Sequence, residues 1–315
     1  MSGNPMYDMF RDFEDRIMSS FAYNSVIDLF PKLKVPAGTH MVDLTIPLTL
    51  GFSQAEVELL KRSIEQFRST TGEYQLPMIQ KTIWLTQDEY DTLVAKGQLN
   101  AYMDRVGKEM AAAADRELVF NNSLTANKKP FYGLNDLGAD DTGTASRPRP
   151  ASSFTTITKA GAWTTATYAS TDRAALEGNI HQYAEFAGPL TLFYPAIAEI
   201  QLVKDVPGTT IGERIKASFE KSFRMVPMGN DEKGYCISTK EAETSTNFHL
   251  IAANTAKFVF AAPREPVVRV RDERASNDPK IFIDYEVYGG LFPVVLATPN
   301  GKFTKATADM DTAGA

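Results

Sequence analysis

Apolar residues near the start of the chain recur at steps of three and four: Phe10, Phe13, Ile17 and Phe21. That is the period of a helix with one greasy face. Acidic Asp8, Asp12 and Asp15 lie off the stripe, so residues 5–30 are expected to form an amphipathic helical arm ended by Pro31 and Pro36. Such a helix can pack on its own domain or on a neighbour, and the pattern leaves both open. Residues 39–50 (THMVDLTIPLTL) and 73–85 (EYQLPMIQKTIWL) are rich in β-branched residues and predict extended segments. Pro47 argues against a central strand. Between them Ser53-Gln54-Ala55-Glu56 matches a capping box, followed by Val57, Leu60, Ile64 and Phe67 on one helix face, and Arg68–Gly72 breaks the pattern. The excursion 39–85 has few residues with which to bury itself.

Thr86-Gln87-Asp88-Glu89 is a second capping box, and it opens the longest helical stretch, with an interruption expected near Gly97. Leu99, Met103, Val106, Met110 and Ala113 form one stripe, and Ala111–Ala114 adds helix propensity. Residues 98–121 as one helix would span about 36 Å. Residues 139–171 are dominated by Ala, Ser, Thr, Gly and Pro and read as loop with one or two strands around Trp163. From 171 the pattern is compact: a helix over 172–187, a short buried strand at Leu190–Tyr194, a helix after Pro195, and a third capping box at Thr210–Glu213. Strands are expected at 223–228, 235–238, 248–252, 257–261, 266–271 and 280–288. In the last, Ile281, Ile283, Tyr285 and Val287 share a face. The closing ATADMDTAGA reads as a loose tail. Helices and strands mixed in this way predict an α+β fold.

Composition narrows the function. With 43% apolar and 23% charged residues in 315, the chain can bury a large core. A net charge of −6 disfavours gripping nucleic acid through phosphates. A single cysteine, Cys236, forms no intrachain disulfide and reads as a structural thiol. His40, His181 and His249 lie far apart in sequence and supply neither a zinc set nor an obvious base. Ser53 is a cap and not a nucleophile, because the surrounding GFSQA lacks the second glycine of an elbow. The acid pairs Asp140-Asp141, Asp231-Glu232 and Asp272-Glu273 lack calcium-loop spacing. Arg269, Arg271 and Arg274 interleave with Glu265, Asp272 and Glu273, which favours surface or intersubunit ion pairs over an anion site. No phosphate loop, membrane span or signal segment is visible, and a soluble cytosolic chain is the expectation. No catalytic, cofactor-binding or metal residue is therefore assigned, and a binding or building protein is expected in place of an enzyme.

The order of arm, extended excursion, alanine-rich spine helix, Gly-Leu turn and α/β unit resembles the major capsid proteins of tailed phages (Caudovirus-type). That is the Hong Kong 97-type fold, which encapsulin shells share. The resemblance rests mainly on 80–138: Leu85-Thr86 at a helix start, Ala111–Ala114, Asp115 near the helix end and Gly133-Leu134 in the turn. DYEVYGGLFPVVLATPNG adds a similar close. The resemblance implies an N-terminal arm at 1–38 reaching an adjacent subunit, and an extended loop at 39–85 lying over a neighbour. It further implies a peripheral domain with spine helix at 86–171 and 261–305, an axial domain at 172–260 and a flexible tail at 306–315. It implies self-assembly through hexamers and pentamers into an icosahedral shell around double-stranded DNA, without sequence-specific binding. A scaffolding or cement protein would be a further partner. The location implied is a virion capsid assembled in host cytoplasm. An encapsulin-like compartment shell with enzyme cargo, and a soluble α/β enzyme or ligand-binding protein, are the competing readings. Some relatives crosslink through lysine; Lys61 and Lys81 lie in the proposed loop but read as ordinary surface lysines.

Overall fold

A computed structural model describes residues 5–39, 41–47, 69–76, 78–120, 134, 154–158, 163, 166–181, 190–205, 214–229, 248–273, 279–293 and 305–309. Helix α1 spans Pro5–Asn24, and a 3-10 turn, Ile27–Leu29, leads to strand β1 (Lys32–Lys34). Strands β2 (Met41–Pro47) and β3 (Ser69–Gln75) pair as an antiparallel ribbon, and β4 covers Met78–Thr86. Helix α2 (Gln87–Ala95) starts at the predicted capping box: Thr86 accepts from Glu89 N–H while Glu89 reaches back to Thr86 N–H. Gly97, at φ 64°, breaks the helix where a left-handed residue is needed. The spine α3 (Leu99–Ala114) then continues as a π-helical turn through Asp115–Phe120.

Strands β10 (Val267–Asp272) and β11 (Lys280–Tyr288) form an antiparallel sheet with β4, in the order β10-β11-β4. Ile281, Ile283, Tyr285 and Val287 are all buried, as their alternation predicts. Ile283, Tyr285 and Val287 face the same core as Ile17 and Phe21 of α1 and Met103, Val106 and Met110 of the spine. Strand β9 (Phe258–Ala262) lies between β1 and β12 (Gly290–Pro293) and contributes Phe258, Phe260 and Ala261 to that core.

The remaining sheet has five strands, in the order β5 (Phe154–Thr158), β13 (Lys305–Asp309), β8 (His249–Asn254), β6 (Leu190–Pro195) and β7 (Arg224–Met228). It is a wall between two cores. Phe193, Ile251 and Ala253 face the first core; Leu190, Leu192, Tyr194, Leu250 and Ala252 face a second. Trp163, Leu176 of helix α4 (Ala166–His181), and Ile215 and Phe219 of helix α5 (Ile215–Glu220) complete the second core. Burial on both faces explains why LTLFY is an unbroken apolar run where a half-exposed strand would alternate.

Several expectations need correction. The first helix ends at Asn24, well before Pro31, because Ser25 and Val26 are taken by hydrogen bonds to Asp115. Within the arm, Ile17 and Phe21 pack on the chain's own spine. Strand β3 begins at Ser69, four residues before the extended segment expected from Glu73. Helix α4 begins at Ala166, inside the stretch read as loop, and residues 182–187 of the expected helix lie outside the described residues. Residues 306–309 are not tail: they lie inside the five-stranded sheet, between β5 and β8. That sheet also takes in 154–158, outside the 172–260 assigned to an axial unit. The caps at Ser53 and Thr210 and the strand at 235–238 fall outside the described residues.

Candidate assembly surface

The residues singled out for chemistry do not converge. Among the described residues no group of three His, Cys, Asp or Glu side chains is placed to hold a metal, and no helix is long and apolar enough to cross a membrane. His249 lies in β8 and is half-buried. His181 ends α4. His40, Ser53, Lys61, Gly133, Asp140-Asp141, Asp231-Glu232, Cys236 and Arg274 lie outside the described residues. Lys81 is exposed on β4. Arg271 is engaged within its own chain: it bonds Asp284, and its Nη1 donates to Glu273 at 2.7 Å. The Arg271 bond, with a second from Thr82 at 2.6 Å, holds the Asp284 carboxyl below its usual range. Arg264 likewise pairs with Glu286.

A polar cluster that sequence spacing did not reveal sits beside the second core. Tyr194 Oη donates to Glu199 at 2.8 Å and Lys216 Nζ donates to the same carboxylate at 2.6 Å. Burial, with Glu199 as acceptor, pushes the Tyr194 phenol up to about 12. Burial alone would raise Glu199, but the bonds from Lys216 and Tyr194 hold it low. The three groups satisfy one another, and the cluster reads as a structural tie. Nearby, buried Asp172 accepts from Trp163 Nε1 at 2.8 Å.

The surfaces that stand out are built by packing. Helix α1 is seated on the spine through a notch at Gly107, where an added Cβ would meet Ile17 O at 2.6 Å. Arg16 grips Asp104 with two bonds of 3.0 and 2.7 Å, and Ser20 Oγ donates to Asp104 O at 2.8 Å. Glu14 accepts from Val270 N–H at 2.7 Å, which satisfies a donor on the edge strand β10.

The opposite face of the β10-β11-β4 sheet has no such cover among the described residues. Trp84 is paired in register with Phe282 and is 50% exposed, and Met78 is 52% exposed. Lys280 Nζ lies 4.4 Å from the Trp84 ring centroid and Arg271 Cζ lies 5.1 Å from that of Phe282. Strand β4 is an edge over nine residues. The ribbon β2–β3 precedes it in the chain, and among the described residues these two strands pair only with each other. An isolated two-stranded ribbon is marginal in water unless something covers it.

No protein-family model and no curated relative matches the sequence. Solved structures do. A virus-like particle from Pyrococcus furiosus is 10% identical, with 96% of this chain and 99% of that chain covered, at a TM-score of 0.57. The capsid of Myoviridae phage XM1 is 8% identical over 89% of each chain, at 0.53. The capsid of a native gene transfer agent particle is 11% identical over 90% of this chain and 89% of that one, at 0.52. At such identities the likeness speaks to the backbone, and it spans nearly the whole of each chain. The wall sheet, the spine helix and the excursion before it together give this chain the Hong Kong 97-type fold that those capsid and particle proteins share.

Proposed function

We propose that the chain is the building block of a closed shell, a major capsid protein whose copies tile an icosahedral surface around double-stranded DNA. One observation carries the reading: the ribbon β2–β3 is paired with nothing else among the described residues of its own chain. Trp84 and Met78 on an uncovered sheet face support it, because a large aromatic and a thioether half in water gain most from a second surface. Contacts repeated from copy to copy close into rings and shells. Hexamers and pentamers, a scaffolding or cement partner and assembly in a host cytoplasm belong to this proposal. So does the absence of enzymatic activity. A net charge of −6 suits a container that holds DNA without adhering to it.

A compartment shell is the second reading. It is favoured by the near-complete coverage of the virus-like-particle chain, at 99%. Purified full-length protein examined by negative-stain electron microscopy tests both. Uniform closed particles are expected; a monomer at all concentrations overturns the shell proposal. Nuclease-protected DNA inside particles from the native source selects the capsid, and co-purified protein cargo without DNA selects the compartment.

A further inference from the structure

Asp115 ends the spine helix with its carboxyl turned into the core, 2% exposed. Ser25 Oγ donates to its Oδ1 at 2.7 Å and Val26 N–H donates to its Oδ2 at 3.0 Å. Ser25 Oγ also accepts from Ile27 N–H at 3.2 Å. Both partners of Asp115, and Ile27 with them, belong to the turn that carries the chain from α1 towards Phe30, whose ring stacks on Phe193 at 6.2 Å. A single carboxyl thus ties that turn to the end of the spine.

No ion pair to Asp115 occurs among the described residues. The charged group felt most directly is Asp28 of the 3-10 turn, of like sign, itself bonded to Lys32 at 2.6 Å. Tyr23, in the last turn of α1, lies on the surface. Strand β12, packed against the π-helical turn, is Gly290-Leu291-Phe292-Pro293 and has no ionisable group. Arg116 follows along the spine, and the Arg16–Asp104 pair lies three turns back, about 16 Å away at 1.5 Å per residue. A carboxylate stripped of water and held by two neutral donors is disfavoured against its protonated form. Protonated, one oxygen remains a carbonyl acceptor for Val26 N–H, and the other exchanges donor and acceptor roles with Ser25 Oγ. Both ties then persist with no buried charge.

We propose that Asp115 is a pH-operated latch, which holds the turn at residues 25–30 on the spine when neutral and loosens it when ionised. Burial pushes its pKa up from 3.8 to about 7; the bonds from Ser25 and Val26 oppose the rise and Asp28 adds to it. The closed turn therefore keeps the proton up to about pH 7, whereas an opened, hydrated carboxyl keeps it only to about 3.8. Closure is favoured fully below the lower value, weakens about tenfold per pH unit between the two, and changes no further above the upper one.

Amide hydrogen exchange over residues 25–30 tests the latch, measured by mass spectrometry from pH 5 to 8 and corrected for the intrinsic pH dependence of exchange. In the unmodified chain, protection is expected to fall about tenfold per unit and to level off near pH 7. Asp115→Asn should hold one level across the range. Ser25→Ala removes a bond that favours the ionised form, so its levelling point should move to higher pH. Protection in the unmodified chain that ignores pH overturns the proposal, as does a slope that survives in Asp115→Asn. Should Asp115→Asn fail to fold, an unmoved levelling point in Ser25→Ala overturns it. The result does not depend on shell formation, since the turn and its carboxyl belong to one chain.

Discussion

Two glycines in helices make opposite demands. At Gly107 the backbone of α1 comes so close to the spine that a Cβ would sit 2.6 Å from Ile17 O and 2.7 Å from Ser20 Cβ. At Gly178, in α4, an added Cβ meets nothing within 4 Å. Alanine in an open helix is more stable than glycine by about 0.5–1 kcal/mol, because it restricts the unfolded chain. Gly178→Ala is therefore expected to raise the denaturant midpoint. Gly107→Ala should lower it by about 1–3 kcal/mol of stability, as overpacking against backbone does. Equal signs for the two in urea unfolding would show that α1 is not seated in the notch. Neither role was legible in the sequence, since each glycine is a lone letter in a helical pattern. Asp115 was noted there only as an acid near the end of a helix, and its partners Ser25 and Val26 lie some 90 residues earlier.

At the scale of elements, legibility followed the amplitude of the side-chain pattern. The capping box at Thr86, the break at Gly97 and the inward face of β11 were readable because each writes a strong local signal. Helix α4 opens ATYAST and β13 is KATAD, both made mostly of small residues whose apolar and polar members differ little, so neither period was visible. Strand β13 is placed by its pairing between two other strands, β5 and β8. It follows that a chain stopped after residue 303 loses the partner of β5 and one edge contact of β8 together. That truncation is expected to lower the melting temperature sharply or to give insoluble protein, as seen by thermal scanning of the soluble fraction. Unchanged melting would return the segment to the status of a tail.

For the whole molecule, a ribbon whose strands pair only with each other among the described residues predicts that folding and association are separable. Among the described residues β2 and β3 hydrogen-bond to no strand of the sheets that bound the two cores. Replacing residues 41–75 with a short Gly/Ser linker should leave the far-ultraviolet circular dichroism and melting of the body close to those of the full chain. The same variant should remain a monomer or small oligomer by light scattering, where the intact protein is expected to form particles. Assembly at full efficiency without the ribbon would remove the observation on which the shell proposal stands. The sheet shared by the two cores bears on what such a subunit can do under load. Its strands hold Phe193 on one side and Tyr194 on the other, so the two lobes share the backbone of one sheet. A push on one lobe is therefore delivered to the other as shear within a single plate, and a subunit of this kind resists bending at its middle.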